Sequence, residues 1–260
     1  MNRVEERIQK EGAPLLGVAV NRCDPVFAEI AGRLGFHILW IEMEHAHISF
    51  GEAAELCRIA SGVGMLTMIR ISDARRENVL KAAECGPDII DLPMANSVET
   101  VEEFVRHARY PPEGARGFFG SSRAMRYGLG GDIVEEQRRI NQELCLMAQI
   151  ETREAVERRE ELCSVPGIDI IFIGPGDLST SLGVTGQIDH PAVQQAADQV
   201  IAAAKSRGKL LSMPSSAADV GKWASKGVEL LFCGSDLGCL KTGAQGILEQ
   251  CRNALRKGPG

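Results

Sequence analysis

Eight short apolar runs, each followed by a helical pattern, constrain this chain of 260 residues more than any other feature. The runs are PLLGVAV (14–20), ILWIEM (38–43), LTMIRI (66–71), DIIDLPM (88–94), LCLMAQI (144–150), DIIFIG (169–174), KLLSMP (209–214) and ELLFCG (229–234). Continuous apolar runs of this length suit strands covered on both faces, as in a parallel sheet. Between them lie helix signals. Asp24-Pro25 reads as a helix start. Ser49 with Glu52 has capping-box spacing. Asn96-Ser97 precedes an amphipathic stretch ending near Arg109, and Asp189-His190-Pro191 opens an Ala-rich helix to about Ser206. Gly86, Gly208 and Gly227 follow helical patterns as stops.

Eight strand–helix repeats predict an α/β protein with a (β/α)8 TIM barrel as a single domain over residues 1–260. An open doubly wound sheet is the alternative. No Gly-x-Gly-x-x-Gly follows the first run, which weakens its dinucleotide-binding version.

The net charge of -6 and the lack of a Lys/Arg block argue against nucleic acid as a partner. No apolar run reaches the roughly 18 residues of a membrane helix. The start, MNRVEERIQKEG, has no apolar core of a secretory signal. Eight scattered cysteines without a Cys-x-x-Cys pair suit reduced thiols in a cytoplasmic protein.

In a barrel the chemistry sits at the C-terminal ends of the strands. Those positions carry Asn21 and Asp24, then Glu42, Glu44 and His45, then Arg70, then Pro93 and Asn96. Gln149 and Glu151 end the fifth run, Gly174-Pro175-Gly176-Asp177 the sixth, Ser212 and Ser215 the seventh, and Ser235 and Asp236 the eighth. Glu151 and Asp177 follow adjacent strands, and two carboxylates brought together share a proton or bind a cation. Oxygen ligands of this kind suit Mg²⁺ or Mn²⁺. Each could instead cap the helix that follows it. Arg70 could present its guanidinium to a carboxylate or enolate oxygen, or form a structural ion pair. None of the eight lysines ends a strand, which disfavours Schiff-base chemistry. Carbanion chemistry would then use a metal as its electron sink. His45-Ala46-His47 has the spacing of a zinc site, but the other histidines (37, 107 and 190) do not end strands.

The same residues carry a family resemblance. Glu44-His45, Arg70, Gln149-Ile150-Glu151-Thr152 and Ile173-Gly-Pro-Gly-Asp177-Leu-Ser resemble the HpcH/HpaI aldolases, from Pro14 to about Leu248. The resemblance implies a metal-dependent (class II) pyruvate aldolase, a carbon–carbon lyase interconverting 4-hydroxy-2-oxo acids with pyruvate and an aldehyde. It implies a barrel of the phosphoenolpyruvate/pyruvate-binding type, its last helix swapped onto a neighbouring subunit in a homo-oligomer, a hexamer. A divalent cation (Mg²⁺, Mn²⁺ or Co²⁺) would be held by Glu151 and Asp177. Arg70 would lie near the keto oxygen of pyruvate, and His45 would act as acid–base residue, paired with residue 42.

That position holds Glu42 where the family has Asp. A glutamate still accepts from the imidazole, with a different reach. Gln149 and Glu44 are expected to hold water on the metal. Backbone N–H groups around Gly174 to Asp177 are expected to bind the pyruvate carboxylate at a helix N-terminus, with Gly174, Pro175 and Gly176 as the substrate-binding segment, and Ser212 is a further substrate-binding candidate. The loop 115–127, with its bulky Phe118-Phe119 pair, is expected to contact the aldehyde or a neighbouring subunit. Two other readings share these residues: a lyase or decarboxylase for oxaloacetate-like acids, and a barrel that binds a keto acid without turning it over.

Overall fold

The computed structural model describes residues 1–12 and 14–257. Ala13 and residues 258–260, the end of the expected domain, lie outside the described residues. Eight strands form: β1 (Leu15–Val20), β2 (Ile38–Glu42), β3 (Leu66–Arg70), β4 (Ile89–Leu92), β5 (Cys145–Ile150), β6 (Ile170–Ile173), β7 (Leu210–Pro214) and β8 (Leu230–Ser235). Each lies within two residues of its apolar run at either end. They pair in parallel in chain order, and β1 closes onto β8 with Leu15 opposite Leu230. The fold is a (β/α)8 barrel, and the open-sheet alternative is set aside.

The helices are α1 (Arg3–Glu11), α2 (Pro25–Leu34), α3 (Phe50–Gly62), α4 (Arg76–Glu84), α5 (Val98–Ala108) and α6 (Ile133–Glu143). Then come α7 (Arg153–Glu157), α8 (Arg159–Cys163), α9 (Pro175–Ser181), α10 (Pro191–Ser206), α11 (Val220–Ser225) and α12 (Asp236–Lys257). The local signals operate as expected. Asp24 accepts from the Phe27 N–H at 3.0 Å ahead of Pro25. Ser49 and Glu52 form both bonds of a capping box. Gly86 leaves α4 in the left-handed region at φ 66°.

Strand alternation splits the apolar residues into two cores. Leu39, Ile41, Ile69, Ile90, Leu146, Ile171 and Leu231 pack outward with the helices. Ile38, Trp40, Met68, Ile89, Met147, Phe172 and Phe232 fill the barrel. Trp40 meets Phe172 and Phe232 edge-on, with ring centroids 5.5 and 5.0 Å away. Gly17 of β1 makes room for this plug, because a Cβ there would lie 2.4 Å from the Phe232 ring. The N-terminal helix α1 sends Val4 into the same interior cluster, and Arg3 pairs with Asp88 just before β4. So α1 covers the end where the strands begin, and the aromatic plug leaves the other end as the mouth.

The last helix is different. It touches β1 and β8 at its base. Leu237, Leu240, Ile247, Leu248 and Leu255 are then exposed along it. On α2, Val26, Ile30 and Leu34 form an exposed apolar stripe at i, i+4 and i+8. No helix among the described residues is long and apolar enough to cross a membrane.

Candidate active site

The inward positions nearest the mouth are polar. In register they are Glu42 on β2, Arg70 opposite it on β3, and Asp91 opposite Arg70 on β4. Gln149 on β5 and Ser212 on β7 join them; both are fully buried. Strand alternation places these side chains above the aromatic plug, and the Arg70 guanidinium lies 4.9 Å from the Trp40 ring centroid.

Arg70 is held from three sides. Its Nε donates to Glu42 Oε2 at 2.6 Å, and Nη2 lies 2.6 Å from the same oxygen. Nη1 lies 3.1 Å from Glu44 Oε2 and donates to Gln149 Oε1 at 3.4 Å. The other Glu42 oxygen accepts from the backbone N–H groups of Glu44 and His45, at 2.8 and 2.9 Å. This corrects the expected dyad. Glu42 does not meet the His45 imidazole, because both its oxygens are committed elsewhere. It holds His45 through the main chain, and its extra methylene reaches Arg70. The imidazole projects into the mouth, with Nε2 3.7 Å from Glu44 Oε2. His47 makes no part of this cluster, and the zinc reading has no further imidazole to draw on.

Glu151 is anchored by a feature that the sequence reading missed. Its Oε1 accepts from the Met94 N–H at 2.8 Å. Met94 follows Pro93 and sits in the left-handed region at φ 51°. A non-glycine residue there stores strain, the kind that persists where the surroundings hold a functional geometry. The other oxygen packs against Gly174, where a Cβ would lie 2.4 Å away. Only glycine fits under this carboxylate.

Neither acid caps a helix. The N-cap of α7 is Thr152, and α9 starts at Gly174 without a side-chain cap, Asp177 lying in its first turn. That turn also leaves the Gly176 and Asp177 N–H groups without a capping side chain.

Electrostatics tie the parts together. Burial pushes the Glu151 carboxyl up to about 7, the charges of Asp177 and Glu44 add to this, and Met94 N–H and Arg70 oppose it. Burial also raises Glu44, against Arg70 and His45 and with Glu42 and Asp177. Asp91, entirely buried, is pushed well above the usual carboxylate range by burial. Glu42, Glu44 and Asp91 thus face the Arg70 guanidinium, and Glu151 and Asp177 lie beside Glu44. Acids pressed together in this way share protons or bind a cation. The buried Glu44 Oε2 has its ion pair with Arg70 and no hydrogen-bond partner. Among the described residues no three or more His, Cys, Asp or Glu side chains form a ready metal cage. Glu151 and Asp177 would be two protein ligands, a carboxylate set that fits a hard divalent ion.

Other expectations fare differently. Gln149 is sunk below the surface of the site, bridging Arg70 to Asp91, with its Nε2 donating to Asp91 Oδ2. Ser212 Oγ is buried without a partner. Asn96 accepts from Thr152 Oγ1 at 2.6 Å and ties β4 to β5 beside the mouth. Asn21 donates twice to Asp236, at 3.1 and 2.9 Å, latching β1 to the start of α12. Asp91 itself was not singled out from the sequence. The signal was there: an acid in the middle of the apolar run DIIDLPM.

The loop 115–127 does not reach its own mouth. Arg116 pairs with Glu84 at 2.9 Å, at the end of α4. Arg123 donates to the carbonyls of Gly86 (2.5 Å), Cys85 (3.1 Å) and Cys57 (3.3 Å) and to Ser61 Oγ (3.0 Å). Cys85 and Gly86 follow α4, and Cys57 and Ser61 lie in the C-terminal half of α3, at the side where strands begin. Arginines satisfy the open carbonyls of helix C-termini, which draws the loop there. A cleft of about 690 Å³ lies at this end, lined by Arg3, Asp88, Arg116, Arg123 and Tyr127 among others. Phe118 and Phe119 stay exposed.

Comparisons with known proteins give the family. Residues 16–241 match the family model described as HpcH/HpaI aldolase/citrate lyase. The chain is 33% identical over 199 residues to 2-keto-3-deoxy-L-rhamnonate aldolase of Klebsiella pneumoniae, covering 76% of this chain and 73% of that protein. It is 28% identical to 2-dehydro-3,6-dideoxy-6-sulfogluconate aldolase of Pseudomonas putida, over 93% of each chain. The crystal structure of an HpcH/HpaI aldolase from Desulfitobacterium hafniense superposes with a TM-score of 0.88, at 30% identity, covering 98% of this chain and 97% of that one.

Proposed function

Because this chain belongs to the HpcH/HpaI aldolase/citrate lyase family, we propose that it is a metal-dependent carbon–carbon lyase cleaving 4-hydroxy-2-oxo acids to pyruvate and an aldehyde. One observation carries the reading: at the mouth Arg70 bridges Glu42 and Glu44, His45 Nε2 lies 3.7 Å from Glu44 Oε2, and Glu151 at the end of β5 is buried beside them.

Glu151 and Asp177 would hold the divalent cation, with Mg²⁺, Mn²⁺ or Co²⁺ as candidates. When bound, it supplies Lewis-acid stabilisation of the charge that develops on the keto oxygen. Arg70 adds a fixed positive charge beside that oxygen. Its three anchors hold the guanidinium in place, so it reorganises little as charge develops. The N–H groups at the start of α9, after Gly174 and Pro175, are suited to the pyruvate carboxylate. His45 takes the proton from the C4 hydroxyl as the C3–C4 bond breaks. Imidazole suits this at neutral pH, and its exposed ring reaches a substrate entering the mouth. Glu42 sets where that ring starts from, through the His45 N–H.

Dialysis against EDTA is expected to abolish cleavage, and Mg²⁺, Mn²⁺ or Co²⁺ to restore it. Full activity in stripped enzyme, or a pyruvate adduct trapped by borohydride, would sink the proposal. The protein is proposed to work as a homo-oligomer, a hexamer, in the cytoplasm. Its exposed α12 supports association with another copy, whose Phe118-Phe119 loop is then the candidate wall for the aldehyde.

A further inference from the structure

Asp91 has no part in the mechanism above, yet it sits at its centre. It is fully buried on β4, directly opposite Arg70 in the register. Its neighbours in the strand are Ile89, Ile90 and Leu92. Oδ2 accepts from Gln149 Nε2, and Oδ1 has no partner. A half-satisfied carboxyl inside a barrel is costly, and an aliphatic side chain would pack there without that cost. A residue kept at such a cost is the kind that serves a site.

Its one contact suggests what it does. The Gln149 amide has an Asp91 oxygen on one side and the Arg70 guanidinium on the other. With Nε2 toward Asp91, the amide oxygen faces Arg70 and accepts from Nη1. A flipped amide would set its N–H₂ against the guanidinium and lose the bond from Nε2 to Asp91. Asp91 thus selects one face of the amide, and that face restrains the Nη1 side of Arg70. Glu42 restrains the Nε and Nη2 side. We infer that Asp91 is a positioning residue, which fixes the Gln149 amide so that Arg70 is held in line with the keto oxygen of the substrate. The role rests on the aldolase reading. Asp91 does not touch substrate, since both of its oxygens are buried.

The test is a double-mutant cycle with three readouts: kcat and KM for cleavage, affinity for oxalate with Mn²⁺ bound, and Tm. Asp91→Leu is expected to lower kcat by ~10-fold or more, as small misplacements of a catalytic group do, with KM little changed. It is also expected to raise Tm, because it removes the buried carboxyl. Asp91→Asn keeps an acceptor for Nε2 and should recover most of the lost rate. In a Gln149→Leu background, Asp91→Leu should add no further loss in rate or in oxalate affinity. Independent, additive losses would overturn the inference. So would an Asp91→Leu protein that is less stable yet as fast as wild type. If wild type cleaves no aldol, the aldolase reading fails, and the oxalate cycle still decides whether Asp91 acts through Gln149.

Discussion

His45 stands exposed beside Glu42 and Arg70, which are buried and bonded to each other. Its backbone N–H is pinned to Glu42, while its ring faces solvent beside Glu44. A residue so placed serves proton transfer to the C4 hydroxyl rather than the charge on the keto oxygen. His45→Ala should therefore slow aldol cleavage by ~100-fold or more, while exchange of the pyruvate methyl protons with D₂O falls far less. Equal losses, followed by NMR and by pyruvate release, would move His45 from proton transfer to binding.

Glu151 makes the second prediction at this scale. Its carboxyl is raised from an ordinary 4.5 to about 7 in the metal-free protein. Between those values the folded chain holds a proton there that the unfolded chain has released. The stability this provides is complete below pH 4.5 and is lost as pH rises through about 7. The full difference corresponds to about 3 kcal/mol. Melting EDTA-treated wild type and Glu151→Gln at pH 5 and pH 8 isolates it: wild type should lose more than the variant on going to pH 8. Mn²⁺ should restore wild type at pH 8, since a bound cation replaces the proton. A wild-type profile parallel to that of Glu151→Gln would refute this.

Among the elements, β1 and β8 show how the barrel interior is made to fit. Their ladder shifts register between Gly17 and Ala19, and Gly17 lies against the Phe232 ring. Gly17→Ala puts a methyl where the ring is, so the aromatic plug under Arg70 must move. Overpacking of this kind costs typically 1–3 kcal/mol, and urea unfolding should show a lower midpoint at unchanged m. A midpoint at or above wild type would mean that Phe232 moves freely. The loop 115–127 shows the opposite case, an irregular element held by side chains. Arg123 binds the end of α4 and the C-terminal half of α3 with one guanidinium, which is why the loop lies far from its own mouth.

The whole molecule is marked by what it leaves uncovered. A 22-residue helix with Ile247 and Leu255 at 66% and 83% exposure is unfavourable in a lone soluble chain. The stripe Val26, Ile30 and Leu34 on α2 is of matching character. Both are satisfied if α12 of one copy lies on a second copy. Light scattering after gel filtration should find an oligomer, and Ile247→Glu with Leu248→Glu should give smaller species with an intact far-UV spectrum. An unchanged mass would exclude α12 from the interface.

Much of this architecture is written locally. Each strand is a run of apolar residues, and α2, α3 and α5 start where the side chains of Asp24, Ser49 and Ser97 accept a backbone N–H three residues on. Signals within a few residues survive any tertiary arrangement, so the eightfold order was legible. So was the list of polar residues at the strand ends, because the barrel's direction decides which end they share. Their pairing was not legible. Whether Glu42 met His45 or Arg70 depended on the register of β2 against β3. Whether Asp91 faced helix or barrel depended on the inward phase of β4, and where the loop 115–127 lay depended on which carbonyls were left open. Composition and periodicity determined a barrel with acids at its mouth; closure of the sheet alone decided which acid met which charge, because those distances are set across strands far apart in sequence.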